Sequence, residues 1–233
     1  MLFYIKRHDI IIEMRIVCFS NEGQIPLLKN MLTSLKKVGL QMENVDCYLL
    51  KNKLEQPADF ESAEFNELCR LKIICILSSL ENYNEILWVD SDVVFFKNVL
   101  EDIKSYTHDM IFQDDILALC AGFFAVRKTP TTISFLKRVV TILTNKTYAQ
   151  TNWHDQTVIN NLFIETDNIR IIKLPISEYP CGKAYFDNNN RVSALMVHNN
   201  YIVGTENKIN RFKEYALWNP SDEAFDECKK IYI

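Results

Sequence analysis

The most informative segment of the chain is ILWVDSDVVFF, residues 86–96. Its first four residues form an uninterrupted apolar run, which is typical of a strand buried on both faces. The run ends in two acids, Asp90 and Asp92, and a second apolar run follows at once. Two carboxylates among so much hydrophobic sequence are costly to bury unless a positive group pairs with them. A divalent metal shared with a diphosphate is such a partner, so the stretch predicts a metal–nucleotide site.

The sequence before these acids alternates between strand and helix patterns. Such alternation is the signature of an α/β sheet with right-handed crossovers. In sheets of this kind ligands bind outside the carboxyl ends of the strands, so Asp90 and Asp92 are expected at the nucleotide crevice. The predicted strands are residues 15–19, 45–50 and 85–89, and the predicted helices are residues 27–38 and 65–80.

The second half of the chain is more irregular, as expected where an acceptor site is built from loops. It carries predicted strands at residues 109–113, 120–126, 169–174 and 195–198, and predicted helices at residues 130–143, 153–163 and 204–215. We interpret residues 14–233 as a single domain. Residues 1–13 are interpreted as an extension that the chemistry does not need, because Met14 precedes the first predicted strand.

The composition is that of an ordinary globular protein, with 48% hydrophobic and 24% charged residues and a net charge of -4. Dispersed Lys and Arg residues give no reason to expect nucleic-acid binding. No apolar run approaches the roughly 18 residues that suggest a membrane span. The seven Cys residues form no CxxC pair, which favours reduced, buried thiols over disulfides. This predicts a reducing compartment and a cytoplasmic location, with peripheral membrane association left open.

Several motifs, taken in order, resemble those of the GT-A glycosyltransferases, especially the retaining nucleotide-diphospho-sugar transferases that include plant cell-wall xylosyl- and arabinosyltransferases. The resemblance extends over most of residues 14–216. It rests on Arg70-Leu71-Lys72, on ILWVDSDVVFFKN at residues 86–98, on CAGFFAV at residues 120–126, on WHDQTVIN at residues 153–160, and on His198 followed by Gly204 and Lys208. Two features depart from the family pattern: Cys120 replaces the usual Asn, and the spacing from His198 to Lys208 is wider.

The resemblance implies a GT-A fold, Rossmann-like, with a mixed central sheet flanked by helices. It implies a metal-dependent transferase that moves a hexosyl or pentosyl group from a nucleoside-diphosphate sugar to a glycan or other hydroxyl acceptor. The expected donor is a UDP-sugar, and the expected stereochemical outcome is retention. Mn²⁺ is the expected ion, with Mg²⁺ as the alternative.

The resemblance also implies a metal–diphosphate clamp. Asp90, Ser91 and Asp92 would contact the nucleotide, and His198 would be the third metal ligand beside the two acids. A lone His at the end of an apolar strand is more often structural; as a ligand, its nitrogen favours Mn²⁺ over Mg²⁺. Gly204 begins a predicted helix, whose free N–H groups suit a phosphate. Lys208 would neutralise a diphosphate oxygen, and its alternative is a surface charge.

A second group of residues is implied to hold the donor sugar. Asp155 would bind its hydroxyls, although a role at the helix start is equally open. Gln156 would lie near the anomeric carbon, where a weak nucleophile stabilises oxocarbenium charge rather than forming a covalent bond. Ala121 and Gly122 would let the backbone approach the sugar closely.

Two further pairs of residues are candidates for donor binding. Arg70 and Lys72 lie two apart on a helix and do not share a face, so one of them is expected to reach the donor. The resemblance favours Arg70. Asp114 and Asp115 follow a predicted strand, and one of them could bind sugar hydroxyls; a solvated turn is the alternative.

Two other function classes stay open at this point. Residues 90–94 also fit the DxDx[TV] signature of haloacid-dehalogenase-type phosphatases, in which the first Asp is a phosphorylated nucleophile. That signature normally lies on the first strand, whereas here two strand–helix units precede it. The replacement of Asn by Cys120 is the one hint of a non-catalytic sugar-nucleotide binder. An enzyme is favoured by the retained residues Asp90, Asp92, His198 and Gln156.

Overall fold

The computed structural model describes residues 14–51, 62–145 and 153–233. The predicted extension, residues 1–13, lies outside the described residues. The strands are β1 (Arg15–Ser20), β2 (Val45–Leu49), β3 (Glu85–Val89), β4 (Val93–Phe95), β5 (Met110–Asp114), β6 (Leu119–Arg127), β7 (Ile171–Leu174), β8 (Met196–His198) and β9 (Lys229–Tyr232). The helices are α1 (Ile25–Lys37), α2 (Ala63–Asn82), α3 (Leu100–Ser105), α4 (Pro130–Thr144), α5 (Asp155–Ile164), α6 (Thr205–Glu214) and α7 (Asp222–Glu227).

Seven strands form one mixed sheet in the order β7-β5-β6-β3-β1-β2-β9. Strands β3, β1, β2 and β9 run parallel to one another, whereas β6 is antiparallel to both β3 and β5. The parallel half is built from the strand–helix units that the sequence predicts. This architecture confirms the predicted fold class, a mixed central sheet flanked by helices.

Strand β1 shows why the central strands are apolar along their whole length. Ile16 and Cys18 lie in one core, with the buried face of α1. Val17 and Phe19 point to the opposite face of the sheet and lie in a second core, with Ile76 of α2. A parallel strand that is covered by helices on both faces reads as a continuous hydrophobic run. Each fully buried side chain of this size contributes about 1.5–3 kcal/mol to folding.

Local signals in the sequence set the ends of the helices. Pro26 lies in the first turn of α1, and Gly39 follows the helix with a φ of 85°. In α4, Thr129 and Thr132 form a reciprocal capping box around Pro130. Such caps satisfy backbone N–H groups that have no partner within the helix. The predicted positions of these helices are therefore confirmed.

A separate two-stranded antiparallel sheet joins β4 to β8. Val93 pairs with His198, and Phe95 pairs with Met196. The backbone N–H of Asn199 also donates to the carbonyl of Asp92 at 2.9 Å. The apolar run that follows the acidic pair is therefore the strand that brings a histidine from late in the chain to the two acids.

Some elements could not be predicted from the sequence. Strand β9 (KKIY) is a half-exposed edge strand, and α7 (DEAFDE) is a short acidic helix, so neither shows a clear apolar period. All seven cysteines are buried and free, as predicted. Among the residues that the structure describes, every helix is too short or too polar to cross a bilayer.

Candidate metal and nucleotide site

A cleft of about 1270 Å³ opens at the carboxyl ends of β1, β3 and β5. The predicted site residues line this cleft, with the exception of Arg70 and Asp114. One wall is formed by the N-terminal part of α2 and the first turn of α5, and a second wall by the segment that joins β8 to α6. The cleft therefore occupies the position that the strand order predicts for a nucleotide.

Asp90, Asp92 and His198 form a compact group in the floor of the cleft. One potential ligand atom from each of the three lies within 4.8 Å of the others. Asp92 and His198 are buried, with 3.3 Å between Asp92 Oδ1 and His198 Nε2, while the Asp90 side chain is about one-third exposed at 34%. Two carboxylate oxygens and one imidazole nitrogen are a donor set that suits Mn²⁺ or Mg²⁺.

The tautomer of His198 follows from its neighbour Gln113. The Gln113 Nε2 group donates to the carbonyls of Tyr179 and Pro180 at 3.1 and 3.0 Å, so its Oε1 must be the atom that faces His198 Nδ1 at 2.9 Å. His198 Nδ1 therefore carries a proton, and Nε2 is the ring atom that faces the acids. Burial would lower the pKa of His198, but Asp92 raises it above the usual value, so a bound metal would take the place of the proton on Nε2. Such outer hydrogen bonds orient a ligating histidine.

The absence of a side chain at Gly122 leaves space for two of the candidate metal ligands, Asp90 and His198. A Cβ atom at this position would lie 2.3 Å from His198 Cε1 and 2.8 Å from Asp90 Oδ2. The Gly122 carbonyl also accepts a hydrogen bond from the Asp90 backbone N–H at 2.8 Å. The resemblance implies that this glycine admits the sugar; in the structure, the atoms nearest to its Cβ position belong to two candidate metal ligands.

Lys208 reaches the same cluster from α6. Its Nζ lies 2.7 Å from Asp92 Oδ2, and its carbonyl accepts a hydrogen bond from Asn199, which fixes α6 to the end of β8. Burial would raise the pKa of Asp92, but Lys208 and His198 outweigh it and hold that pKa well below its usual range. Burial raises the pKa of Asp90 by more than the nearby charge of Lys72 lowers it. The Lys208 ammonium therefore reaches Asp92 even though the spacing from His198 to Lys208 is wider than in the family. Gly204, which has a φ of 90°, precedes the first residue of α6.

Lys72 joins the metal cluster to the start of α5. Its Nζ lies 2.7 Å from Asp155 Oδ2 and 3.2 Å from Asp90 Oδ1. Burial would lower the pKa of Lys72, but Asp155 and Asp90 more than compensate, so its pKa is above the usual value. Burial opposes the ionised form of Asp155, yet Lys72 keeps its pKa below the usual value. Trp88 Nε1 also donates to Asp90 Oδ1 at 2.7 Å.

The structure corrects the choice between Arg70 and Lys72. The Arg70 guanidinium forms two hydrogen bonds with the exposed Glu67 carboxylate on the same helix, at 2.7 and 2.5 Å, and lies outside the cleft lining. Residues two apart on a helix point in nearly opposite directions, so one of the pair must face away. The prediction that Arg70 is the residue near the donor is therefore wrong about which side chain faces the cleft.

Asp114 and Asp115 separate in a similar way. Asp114 Oδ1 forms an ion pair with Lys173 at 2.9 Å, outside the cleft lining. Asp115 is buried and accepts a hydrogen bond from Gln156 Nε2 at 2.9 Å. The Gln156 Oε1 atom in turn accepts a hydrogen bond from the backbone N–H of Ala121 at 3.1 Å. Gln156 thus lies at the first turn of α5, with both ends of its amide held.

One part of the cleft was not predicted from the sequence. Phe19, Gly23 and Gln24 line it at the carboxyl end of β1, where it is continued by Phe65 and His154. The Phe65 and His154 rings meet edge to face, with 6.1 Å between their centroids. The available signal was topological, since the carboxyl end of β1 borders that of β3 in this sheet.

Curated relatives are glycosyltransferases. The chain is 26% identical over 207 residues to a UDP-galactose:fucoside alpha-3-galactosyltransferase of Dictyostelium discoideum. This alignment covers 74% of this chain and 31% of the relative. The chain is also 26% identical over 196 residues to UDP-D-xylose:L-fucose alpha-1,3-D-xylosyltransferase 3 of Arabidopsis thaliana. That alignment covers 72% of this chain and 51% of the relative. The chain thus spans about a third and about half of the lengths of these two relatives.

Solved structures with the same fold are also glycosyltransferases. One is involved in glycosylation of the major capsid of PBCV-1; it is 16% identical, with a TM-score of 0.58 over 86% of this chain and 99% of that chain. Another is the glycosyltransferase GlyE of Streptococcus pneumoniae TIGR4, which is 13% identical, with a TM-score of 0.54 over 89% of this chain and 66% of that chain. At such low identities the match indicates a shared GT-A fold.

The model of one family aligns with most of the chain. It matches residues 29–212 and describes nucleotide-diphospho-sugar transferases. The matched segment contains the acidic pair, the start of α5, His198 and Lys208. It replaces the phosphatase interpretation of residues 90–94, because it covers well over half of the chain and includes most of the cleft. The protein belongs to the nucleotide-diphospho-sugar transferase family.

Proposed function

We propose that this chain transfers a sugar from a UDP-sugar to a hydroxyl group of a glycan or other acceptor, with retention of anomeric configuration. The observation that carries the proposal is the cluster of Asp90, Asp92 and His198 within 4.8 Å, at the floor of a cleft that also holds Gln156. Membership of the family supports the donor class, because both curated relatives described above carry a UDP-sugar in their names.

The proposed metal site fits the residues that are present. Asp90 and Asp92 supply oxygen ligands, and the proton that Gln113 holds on Nδ1 directs Nε2 of His198 to the site as the third ligand, where the metal would replace the Nε2 proton. The absence of a Cβ atom at Gly122 leaves room for this arrangement. The nitrogen ligand favours Mn²⁺, and Mg²⁺ is the alternative. When bound, the ion supplies Lewis-acid stabilisation of the departing diphosphate.

The residues of α6 complete the proposed diphosphate site. Lys208 brings a positive charge to within 2.7 Å of Asp92, and the first turn of α6, beside Gly204, lines the same cleft, where free helix N–H groups suit a phosphate. Fixed positive groups of this kind stabilise charge on a departing oxygen without reorganising during the reaction. A separate general acid is therefore not required for the leaving group.

Asp155 and Gln156 are proposed to act on the donor sugar. Asp155 is ionised beside Lys72 and is available to accept hydrogen bonds from sugar hydroxyls. The Gln156 amide is neutral and a weak nucleophile, so its carbonyl oxygen is better suited to stabilise positive charge at the anomeric carbon. This role accords with front-face attack by the acceptor hydroxyl, which the departing diphosphate would help to deprotonate.

The names of the relatives suggest the first substrates to test. Both act on a fucose-containing acceptor, one as a galactosyltransferase and one as a xylosyltransferase. We therefore propose UDP-xylose and UDP-galactose as donors and an L-fucoside as acceptor. The cytoplasmic location stays a prediction.

A panel of UDP- and GDP-sugars, with and without Mn²⁺, tests this proposal by thermal shift and by turnover. A donor present at a hundred times its Kd stabilises the fold by about 2.7 kcal/mol, which is readily measured. Asp92→Ala is expected to abolish both the Mn²⁺-dependent shift and the turnover. NMR of the product gives the anomeric configuration. Unchanged turnover by Asp92→Ala would contradict the assignment of Asp92 as a metal ligand. Release of phosphate from p-nitrophenyl phosphate by the parent protein would instead support a phosphatase.

A further inference from the structure

Asp115 lies where three irregular backbone features meet. The register between β5 and β6 shifts between Phe112 and Asp114, just before Asp115. Ile116, the next residue, has a φ of 65°, and Tyr201, which contacts Asp115 from another loop, has a φ of 58°. A bulge redirects a side chain, and a β-branched residue at positive φ is strained. The fold thus maintains an unfavourable local backbone that directs Asp115 into the cleft.

The Asp115 carboxylate joins the two walls of the cleft. Its Oδ2 accepts a hydrogen bond from Gln156 Nε2 on α5 at 2.9 Å, and its Oδ1 accepts one from Asn200 Nδ2 after β8 at 2.9 Å. Its backbone carbonyl accepts a third hydrogen bond from the Tyr201 hydroxyl at 3.2 Å. Both carboxylate oxygens are therefore engaged with side chains of the protein.

Neither amide partner can reverse its orientation without losing another bond. Gln156 Oε1 accepts the Ala121 N–H at 3.1 Å, and Asn200 Oδ1 accepts the Gly182 N–H at 2.6 Å. A flip of either amide would place an NH₂ group against a backbone N–H. The group between the two amides must consequently accept at both positions, and an ionised carboxylate does so without offering a donor.

We propose that Asp115 is a positioning residue that fixes the orientation of the Gln156 amide, rather than a ligand of sugar hydroxyls. It holds Nε2 away from Ala121 and so keeps the Gln156 carbonyl oxygen on the Ala121 N–H, one residue before Gly122. Through Asn200 it also holds the segment that follows β8. This assignment rests on the proposed function, since it gives the orientation in which Gln156 meets the donor.

The test compares Asp115→Asn with Asp114→Asn as a matched control. The amide introduced at position 115 has one acceptor and one donor group, so one of its two contacts becomes a donor–donor pair. Loss of a buried hydrogen bond to a charged group corresponds to about a tenfold to hundredfold effect, which we expect in kcat with little change in KM for the donor. Asp114→Asn, which breaks an ion pair outside the cleft, is expected to stay within about twofold of the parent, as is usual for surface changes.

A second substitution provides a rescue. In Asp115→Asn/Asn200→Asp, the carboxylate at position 200 still accepts the Gly182 N–H and also accepts from the amide NH₂ group at position 115. The amide oxygen at position 115 then faces Gln156 Nε2, so the double variant restores every donor–acceptor pair. We expect it to recover at least about tenfold in kcat over Asp115→Asn, a coupling within the range seen for contacting residues.

Two results would overturn the assignment: a folded Asp115→Asn variant with kcat within about threefold of the parent, or a folded double variant no more active than Asp115→Asn. The comparison of the double variant with Asp115→Asn remains informative even if Asp115→Asn folds poorly. In that case the assignment requires the double variant to fold and to transfer sugar. A parent protein that turns over no UDP-sugar would count against the proposed function instead. The two failures are therefore distinguishable.

Discussion

Gln113 and His198 share a hydrogen bond of 2.9 Å between the amide Oε1 and the ring Nδ1. Because this bond fixes the proton on Nδ1, replacement of Gln113 is expected to weaken metal binding without removing a ligand. Gln113→Leu should reduce Mn²⁺ affinity by about tenfold to hundredfold, as is usual for outer partners of a ligating histidine. Isothermal titration of Mn²⁺ into the two proteins measures the difference.

Gln113→Glu serves as the control for this bond. A carboxylate at position 113 still accepts from His198 Nδ1, although it no longer donates to the carbonyls of Tyr179 and Pro180. We therefore expect reduced thermal stability but Mn²⁺ affinity closer to the parent than that of Gln113→Leu. Equal affinities for the parent and for a folded Gln113→Leu variant would show that the tautomer does not depend on this residue.

Gly122→Ala should disrupt metal binding while most of the fold persists. The added methyl group would lie 2.3 Å from His198 Cε1 and 2.8 Å from Asp90 Oδ2, so at least one of these side chains must move. We expect the Mn²⁺-dependent thermal shift to be lost. Circular dichroism and the shift in Tm on adding Mn²⁺ together check this outcome.

Gly39→Ala is the matched control, because it also adds one methyl group but at a site remote from the cleft. A Cβ atom at Gly39 meets nothing within 4 Å, but the φ of 85° is unfavourable for alanine. The cost should be about 1–2 kcal/mol of unfolding free energy, with Mn²⁺ binding unchanged. If Gly122→Ala showed the same change in Tm on adding Mn²⁺ as the parent, the lack of a side chain at position 122 would not be required for metal binding.

Lys72→Met and Arg70→Met separate the two basic residues of α2. Lys72→Met leaves Asp155 and Asp90 without their shared cation, and breaking a buried pair on one side costs about 3–5 kcal/mol. Arg70→Met removes an exposed pair with Glu67, which is worth about 0–1 kcal/mol. Urea unfolding of both variants measures these costs, and thermal shift with UDP-sugar measures donor binding. Comparable losses in the two variants would contradict the assignment of Lys72 as the inward residue.

The proximity of Asp90, Asp92 and His198 could be predicted from the sequence because the strand order and the motif order indicate the same place. Asp90 and Asp92 follow an apolar strand in the middle of a parallel α/β pattern, and such strand ends converge on the ligand crevice. The spacing from His198 to Lys208 departs from the family pattern, yet both side chains reach Asp92. A helix that starts beside a strand end can accommodate extra residues in the preceding loop without moving its first turn away.

Which member of the pairs Arg70/Lys72 and Asp114/Asp115 faces the cleft depends on tertiary structure. Whether Arg70 or Lys72 faces inward is set by the rotation of α2 against the sheet, which residue spacing alone does not give. Similarly, the shift in register near Asp114 decides which of two adjacent acids enters the cleft. Strict alternation along β5 says only that Asp114 and Asp115 point to opposite sides. Bulges and helix rotation are properties of the packed sheet, and the sequence shows them weakly.

Acid stability should depend on Asp109, which lies outside the cleft and so reports on the fold alone. Its carboxylate accepts hydrogen bonds from the Arg170 backbone N–H, Nε and Nη2 at 2.9, 3.2 and 2.8 Å. The hydrogen bonds to the Arg170 side chain, followed by the bond to its backbone, lower the pKa of Asp109 despite its burial. A lowered folded-state pKa means that the contribution to stability is present above the unfolded value of about 3.9 and is lost as the pH falls through the folded value.

Asp109→Asn should therefore be less stable than the parent at neutral pH, and the difference should shrink as the pH falls below about 4. Urea unfolding at a series of pH values between neutral and acidic conditions gives the difference directly. The asparagine keeps one acceptor for the Arg170 backbone but carries no charge for the guanidinium, so a deficit at neutral pH isolates the ionised contact. A difference that stayed constant down to acidic pH would mean that packing around Asp109, rather than its charge, carries the effect.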